Sequence, residues 1–209
     1  MCQTYRLHLK RYSTHFLILK ALRPGRALDV GCNKGYLGSL GGASEWWSID
    51  YDRGALLEAS KSYKQVYLCD LNDAKSILNL RLPRDYFDYI IFADVLEHLV
   101  KPANVVRKFL ASVKQDGRII VSVPNVAHFS VGFSLLFGDF RYSESGILDK
   151  SHLHFWTRTS AKNLLSECGL HIERELFGTD HFGWLVNRLR VCPGLLAYNL
   201  VFVCRPPTW

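Results

Sequence analysis

Side chains able to do chemistry fall in short runs that interrupt apolar stretches. The first is Asp29-Val30-Gly31-Cys32-Asn33-Lys34-Gly35. Gly31 lets the backbone approach a ligand closely, and Gly35 permits a turn into a helix whose N-terminus carries partial positive charge. Asn33, between them, is the next-best residue to glycine for a left-handed backbone. Two acids, Asp50 and Asp70, each close an apolar stretch further on. On a helical turn, Asp94-Val95-Leu96-Glu97-His98 sets two carboxylates and an imidazole on one side, a donor set able to hold a divalent cation and lower the pKa of a bound hydroxyl. The bland alternative is a helix start with Glu97 tied to the backbone. In Leu148-Asp149-Lys150-Ser151-His152-Leu153-His154-Phe155-Trp156-Thr157, alternation puts His152 and His154 on one side of an extended segment,. There an imidazole serves as general base or substrate ligand, with structural bonding to a covering loop as the alternative. His128 is a third candidate, while His8, His15, His171 and His181 have no constellation around them.

Alternating elements carry these runs. The expectation is a helix over 5–22, a strand over 26–30, a short helix after the glycine loop, then a strand over 45–50 and a helix over 53–63. A strand over 65–69 and a helix over 73–80 follow, then the near-continuous apolar run 87–93, of the kind buried on both faces of a parallel sheet. A helix over 103–114, a turn at Asp116-Gly117 and a strand over 118–123 complete the regular part, so the acids lie at the ends of successive strands. Strands alternating with helices argue for βαβ units and a mainly parallel sheet. Residues 125–156 are rich in aromatics, glycine and histidine without clear period, and too long for an ordinary connection, as an active-site cover would be. A helix over 157–168 and strands over 170–177 and 198–205 close the chain.

This order of motifs resembles that of class I S-adenosylmethionine (SAM)-dependent methyltransferases, whose first motif is an acid followed by glycines in the pattern D/E-x-G-x-G-x-G. Asn33 replaces the middle glycine. A dinucleotide-binding loop is the nearest competitor, and its G-x-G-x-x-G fails here because, counted from Gly31, the required glycines fall on Asn33 and Tyr36,. The resemblance implies a Rossmann-like α/β fold with a seven-stranded, mainly parallel sheet. It makes 1–209 a single domain, with an N-terminal helical segment over 1–24 and a lid insertion over 125–156 after strand five. It implies SAM as cofactor, leaving as S-adenosylhomocysteine, held by Asp29, Gly31, Asn33 and Gly35. Asp50, flanked by Tyr51, takes the ribose hydroxyls, Asp70 the adenine amino group beside Leu71, and Asp94 opens the substrate-facing motif. Asp52 ranks second to Asp50 and is expected to cap the helix after it. The Asp94-x-x-Glu97-His98 run is similar to the Glu-x-x-Glu-His metal site of ubiquinone-pathway and small-RNA O-methyltransferases, but Leu-Glu-His-Leu also occurs in members that need no metal, so none is expected. The segment 148–157 resembles the L-D-x-x-H-L-H-F-F-T signature of a subgroup associated with bacterial surface-polysaccharide and other glycan biosynthesis, a resemblance running from Ala27 to Arg205.

The implied function is methyl transfer to a hydroxyl of a sugar or glycan precursor, with His154, His152 and His98 as catalytic candidates. The alternatives are a quinone or phenol O-methyltransferase and a SAM-fold binding module that does not catalyse. Twenty-six Lys and Arg against 19 Asp and Glu leave a net charge of +7, which suits a phosphate-linked acceptor or a membrane surface as well as a solvated basic face. No RNA-reading motif points to nucleic acid. No apolar run reaches membrane-spanning length and the start lacks a signal-peptide layout. A cytoplasmic monomer or homodimer, in peripheral contact with a membrane through the apolar cover, is the expectation. The six cysteines show no C-x-x-C pair and read as buried free thiols,.

Overall fold

The computed structural model describes residues 10–179 and 183–207. Apolar strands β1 (Arg26–Val30), β2 (Glu45–Asp50), β3 (Gln65–Leu68), β4 (Phe87–Ala93) and β5 (Val113–Pro124) run parallel to one another. β6 (His171–Gly178) and β7 (Asn199–Arg205) complete a seven-stranded sheet in the order β3-β2-β1-β4-β5-β7-β6, in which β7 alone is reversed. The strand order turns back between β1 and β4. In such open sheets ligands bind at this switch point, outside the carboxyl ends of the strands.

Consecutive strand residues point to opposite faces, so the sheet feeds two apolar layers. Leu28, Val30, Phe92 and Phe202 pack with Phe109 of α5 (Pro102–Phe109) and Leu165 of α7 (Arg158–Glu167). Ala27, Ile91, Ile120 and Val201 pack on the other face with Ile18 of α1 (Thr14–Ala21), Leu37 of α2 (Tyr36–Ser39) and Ala59 of α3 (Arg53–Ala59). The helix starts are written locally. Asp52 accepts from Gly54 and Ala55 N–H groups to cap α3, as expected, Asp73 caps α4 (Ala74–Asn79) in the same way, and Thr157 with Ser160 forms a capping box on α7,.

Several element boundaries differ from expectation. Among described residues the first helix begins only after Ser13, with Tyr12 at φ 70°; the part of the expected helix before residue 10 lies outside the described residues. α5 stops at Phe109, and β5 starts at Val113, so Asp116-Gly117 lies inside a strand, not in a turn. Tertiary pairing decides this, since Val113 is buried against Phe87 and the register slips between Phe87 and Tyr89, bringing Gly117 within a side chain's width of the Phe87 carbonyl. The cover also holds a helix, α6 (Phe129–Leu136), and two further short helices precede β7, α8 (Gly183–Arg188) and α9 (Pro193–Leu196). Of the cysteines, Cys32, Cys69, Cys168 and Cys204 are buried free thiols as expected, Cys192 is exposed, and Cys2 lies outside the described residues. No helix among the described residues is long and apolar enough to cross a membrane.

Candidate cofactor and acceptor site

At the end of β1 the chain turns through left-handed backbone at Gly31 (φ 76°), Asn33 (φ 48°) and Gly35 (φ 79°). Asn33 takes the place of a glycine there without leaving the region asparagine tolerates. A side chain at Gly31 would also strike Val95 beyond β4, and one at Gly35 would strike Ala59, so both glycines answer to protein neighbours as well as to a ligand. The loop is tied to β2 by Gly31 and Cys32 N–H groups donating to Ile49 O, and by Asn33 N–H donating to Asp50 Oδ2 at 2.7 Å. Asp52 N–H donates to the other Asp50 oxygen at 2.9 Å. Each carboxylate oxygen keeps a further lone pair, the pair of acceptors that a vicinal diol needs. The residues therefore fit the SAM ribose.

Asp29 lies beneath the loop. Its carboxyl lies 2% exposed and accepts from Tyr63 Oη at 2.5 Å, while Tyr63 Oη accepts from Gly38 N–H at 2.9 Å. Burial pushes its pKa up to about 7 against the Tyr63 hydrogen bond, with the charge of Asp50 adding to the rise. It supports the loop through α2 and Tyr63. Tyr51 stands in solvent beyond Asp50; Asp70 is exposed at the end of β3, one oxygen accepting from Asn72 N–H at 2.8 Å, with Leu71 folded into the core next to it.

Beyond β4, Asp94 sits at φ 53° and turns its carboxylate toward the sheet, accepting from Ser122 Oγ at 2.7 Å and Asn199 Nδ2 at 2.9 Å. A 3-10 turn, Leu96–His98, follows. The carbonyl of Glu97 accepts Leu153 N–H at 2.7 Å and His154 N–H at 3.2 Å, which docks the returning lid onto this turn. The Glu97 side chain is 1% exposed, and neither carboxylate oxygen bonds another residue. Burial, helped by the nearby charges of Asp94 and Asp149, raises its pKa well above the usual carboxylate range. Its own backbone N–H opposes that rise, the local tie expected of Glu97, while its carbonyl docks the returning segment.

The three catalytic candidates separate. His152 donates from Nδ1 to Ile147 O at 3.1 Å and presents Nε2 4.0 Å from Glu97 Oε1; its ring meets His98 edge-on at 4.8 Å. Burial and His98 lower its pKa. His98 reaches Ser151 O with Nδ1 at 3.3 Å. His154 spends Nε2 on Leu99 O at 2.9 Å and stacks on Trp156, so it shares the 96–99 turn with His152 but no partner. His128 caps α6 and packs on Phe129 and on Tyr198, whose Oη accepts Ile147 N–H at 3.3 Å. The three-residue set expected for a cation is also redrawn, because Asp94 is engaged by Ser122 and Asn199 while His152 joins Glu97 and His98.

Sequence reasoning missed Asn72, whose Nδ2 donates to His98 O at 3.1 Å and whose Oδ1 accepts Val100 N–H at 2.8 Å. It joins the β3 loop to the β4 turn. It also missed Tyr63 and Asn199, and none of the three stands in a run whose spacing could have exposed it.

Residues 3–175 match the family model for a methyltransferase domain. A probable S-adenosylmethionine-dependent methyltransferase of Mycobacterium tuberculosis is 32% identical over 107 residues, 50% of this chain and 38% of that protein. A ubiquinone biosynthesis O-methyltransferase of Alkalilimnicola ehrlichii is 31% identical over 129 residues, 56% of this chain and 49% of that protein. The matches thus span half or less of the length of these curated relatives. An S-adenosylmethionine-dependent methyltransferase of Mesorhizobium loti shares the fold, with a TM-score of 0.61 at 19% identity over 92% of this chain and 98% of that one. So does the Haloferax volcanii putative methyltransferase in its complex with the Trm112 activator, with a TM-score of 0.63 at 13% identity over 93% and 89%.

Proposed function

The chain belongs to the methyltransferase-domain family, and from that premise we propose that it transfers the methyl group of SAM to a hydroxyl of a phosphate-linked sugar or glycan precursor. SAM supplies an electrophilic methyl on a sulfonium. In the transfer a C–O bond forms as the C–S bond breaks, the hydroxyl proton leaves, and S-adenosylhomocysteine is released. Asp50 would hold the ribose diol and the Gly31–Gly35 loop the rest of the donor, fixing the methyl at the switch point. The acceptor then lies against the 96–98 turn, where alignment and proton removal each contribute to rate.

The observation that carries a hydroxyl acceptor is the pair of imidazoles beside that turn. Each has Nδ1 against a backbone carbonyl, which leaves Nε2 able to take or stabilise a proton's departure,. His154 positions the lid through Leu99 and Trp156. The net charge of +7 favours a phosphate on the acceptor,. The exposed apolar face of α6, with Phe129, Phe133 and Leu136 in solvent, suits a lipid tail on that phosphate,. Incubating the protein with labelled SAM and a panel of sugar phosphates, lipid-linked sugars, quinols and catechols tests the reading. Label confined to the aromatic acceptors would sink it.

That outcome belongs to the second reading, a quinone or phenol O-methyltransferase, which the same apolar face and the name of the Alkalilimnicola relative favour. A binding module that does not catalyse would show in calorimetry as absent SAM binding or as indifference of SAM affinity to Asp50→Ala.

A further inference from the structure

We infer that Glu97, His98 and His152 bind one divalent cation of the borderline class, zinc foremost, through a carboxylate oxygen and one nitrogen of each ring. A Glu97 oxygen and one ring nitrogen of each histidine lie within 4.8 Å of one another. The hydrogen bonds around the rings decide what those nitrogens are. A carbonyl can only accept, so Nδ1 of His152 carries the proton that it gives to Ile147 O,. At His98, Nδ1 faces both Ser151 O and Ser151 Oγ at 3.3 Å, and the Ser151 hydroxyl hydrogen is already spent on Asp149 Oδ1 at 2.7 Å. Nδ1 of His98 is therefore a donor as well. Both neutral rings present Nε2 lone pairs, the tautomer that backbone carbonyls impose on metal-binding histidines.

A Glu97 oxygen and one nitrogen of each ring thus converge, in a cluster where Nε2 of both rings is a lone pair. The carboxylate among them is 1% exposed, and neither of its oxygens bonds another residue. Such a group costs free energy unless something positive sits beside it. A proton on Glu97 meets that need poorly, because Nε2 of His152 is 4.0 Å from Oε1, beyond hydrogen-bond reach, and His98 would stay unanswered,. A cation answers all three at once, and two imidazoles with one carboxylate select a borderline transition ion over magnesium or calcium. Bonds of about 2.1 Å would draw the donors somewhat closer, a closure that side-chain torsions can absorb. His98 is only half-buried, which leaves the ion an open side.

The ligands come from the β4 turn and from the lid, so the site is complete only when Leu153 and His154 dock on Glu97 O. With the ion bound the ring nitrogens are its ligands, and the ion, in place of a free imidazole, lowers the pKa of the acceptor hydroxyl; that role rests on the methyltransferase reading, and binding does not.

The test is titration of the metal-freed full chain with cobalt(II), read by visible absorption, and with zinc(II), read by calorimetry. One equivalent should bind, zinc should raise Tm, and Glu97→Gln, His98→Gln and His152→Gln should each weaken binding at least tenfold, while His171→Gln, at an exposed position on β6, leaves it unchanged. Far-UV circular dichroism and SAM affinity, measured on every variant, identify any that misfold; His98→Gln, at the most exposed ligand, is the safeguard. Failure of the wild type to bind one equivalent overturns the inference, as does tight binding that survives Glu97→Gln together with His152→Gln. SAM affinity in the same samples reports on the methyltransferase reading separately.

Discussion

The two halves of the sheet's carboxyl edge are held by bonds of different reach. Around β1 and β2 the Gly31–Gly35 loop is closed by Asn33 to Asp50, 17 residues apart, and by Asp52 within its own turn. Around β4 the links run from His98 to Ser151 over 53 residues and from Leu99 to His154 over 55. The half proposed to hold the donor is built on one βαβ unit. The half proposed to meet the acceptor is complete only once the segment 151–154 has returned to the 96–99 turn, so its geometry can be altered without touching the first half. Asn72, reaching from the β3 loop to His98 O and Val100 N–H, is the joint between them.

The largest expected effect sharpens what lies beneath the donor half. Asp29 has its pKa raised from 3.8 to about 7, so the folded state favours its neutral form. Its contribution to stability is then greatest below about pH 4 and declines as pH rises to about 7, by up to about 4 kcal/mol. Denaturant melts across that range should show the decline, and Asp29→Asn, which stays neutral and still accepts from Tyr63, should flatten it. An unchanged slope in the variant would remove Asp29 from this role.

Next, Asp50→Ala should weaken SAM binding about 300-fold, through loss of two charge-assisted bonds to the ribose. Calorimetry measures it, and zinc binding at the far half should stay as it was. His152→Ala should do the reverse, lowering turnover about 100-fold at saturating SAM with SAM affinity within twofold. If both halves respond to either substitution, the division between them is wrong. The smallest effect belongs to the joint: Asn72→Ala removes two hydrogen bonds, costing about 1 kcal/mol each, and should raise KM for donor and acceptor together by several-fold. A change in only one of the two would place Asn72 in that half alone.

Much of the donor half could be read along the chain. Left-handed turns, an N-cap at Asp52 and acids at strand ends follow from backbone sterics and local hydrogen bonding, which short windows of residues record. The lid could not be read that way. Its segment 129–136 is apolar nearly all round, so α6 carried no amphipathic period to announce it, and α8 and α9 are too short to show one. The partner of Asp29 was illegible for the same reason, since nothing near it in sequence indicates that Tyr63, 34 residues on, bonds its carboxyl.

The sequence by itself determined the strand and helix alternation, the loop that carries Gly31, Asn33 and Gly35, and the place of Asp50 and Asp70 at strand ends. Each depends on interactions within a few residues or within one βαβ unit. Only the tertiary structure decided that Asp94 faces Ser122 and Asn199, that His154 is spent on Leu99, and that Glu97 lies buried between His98 and His152. Those placements depend on which distant carbonyl or hydroxyl satisfies each side chain. That choice is made when the lid and β7 pack against the end of β4.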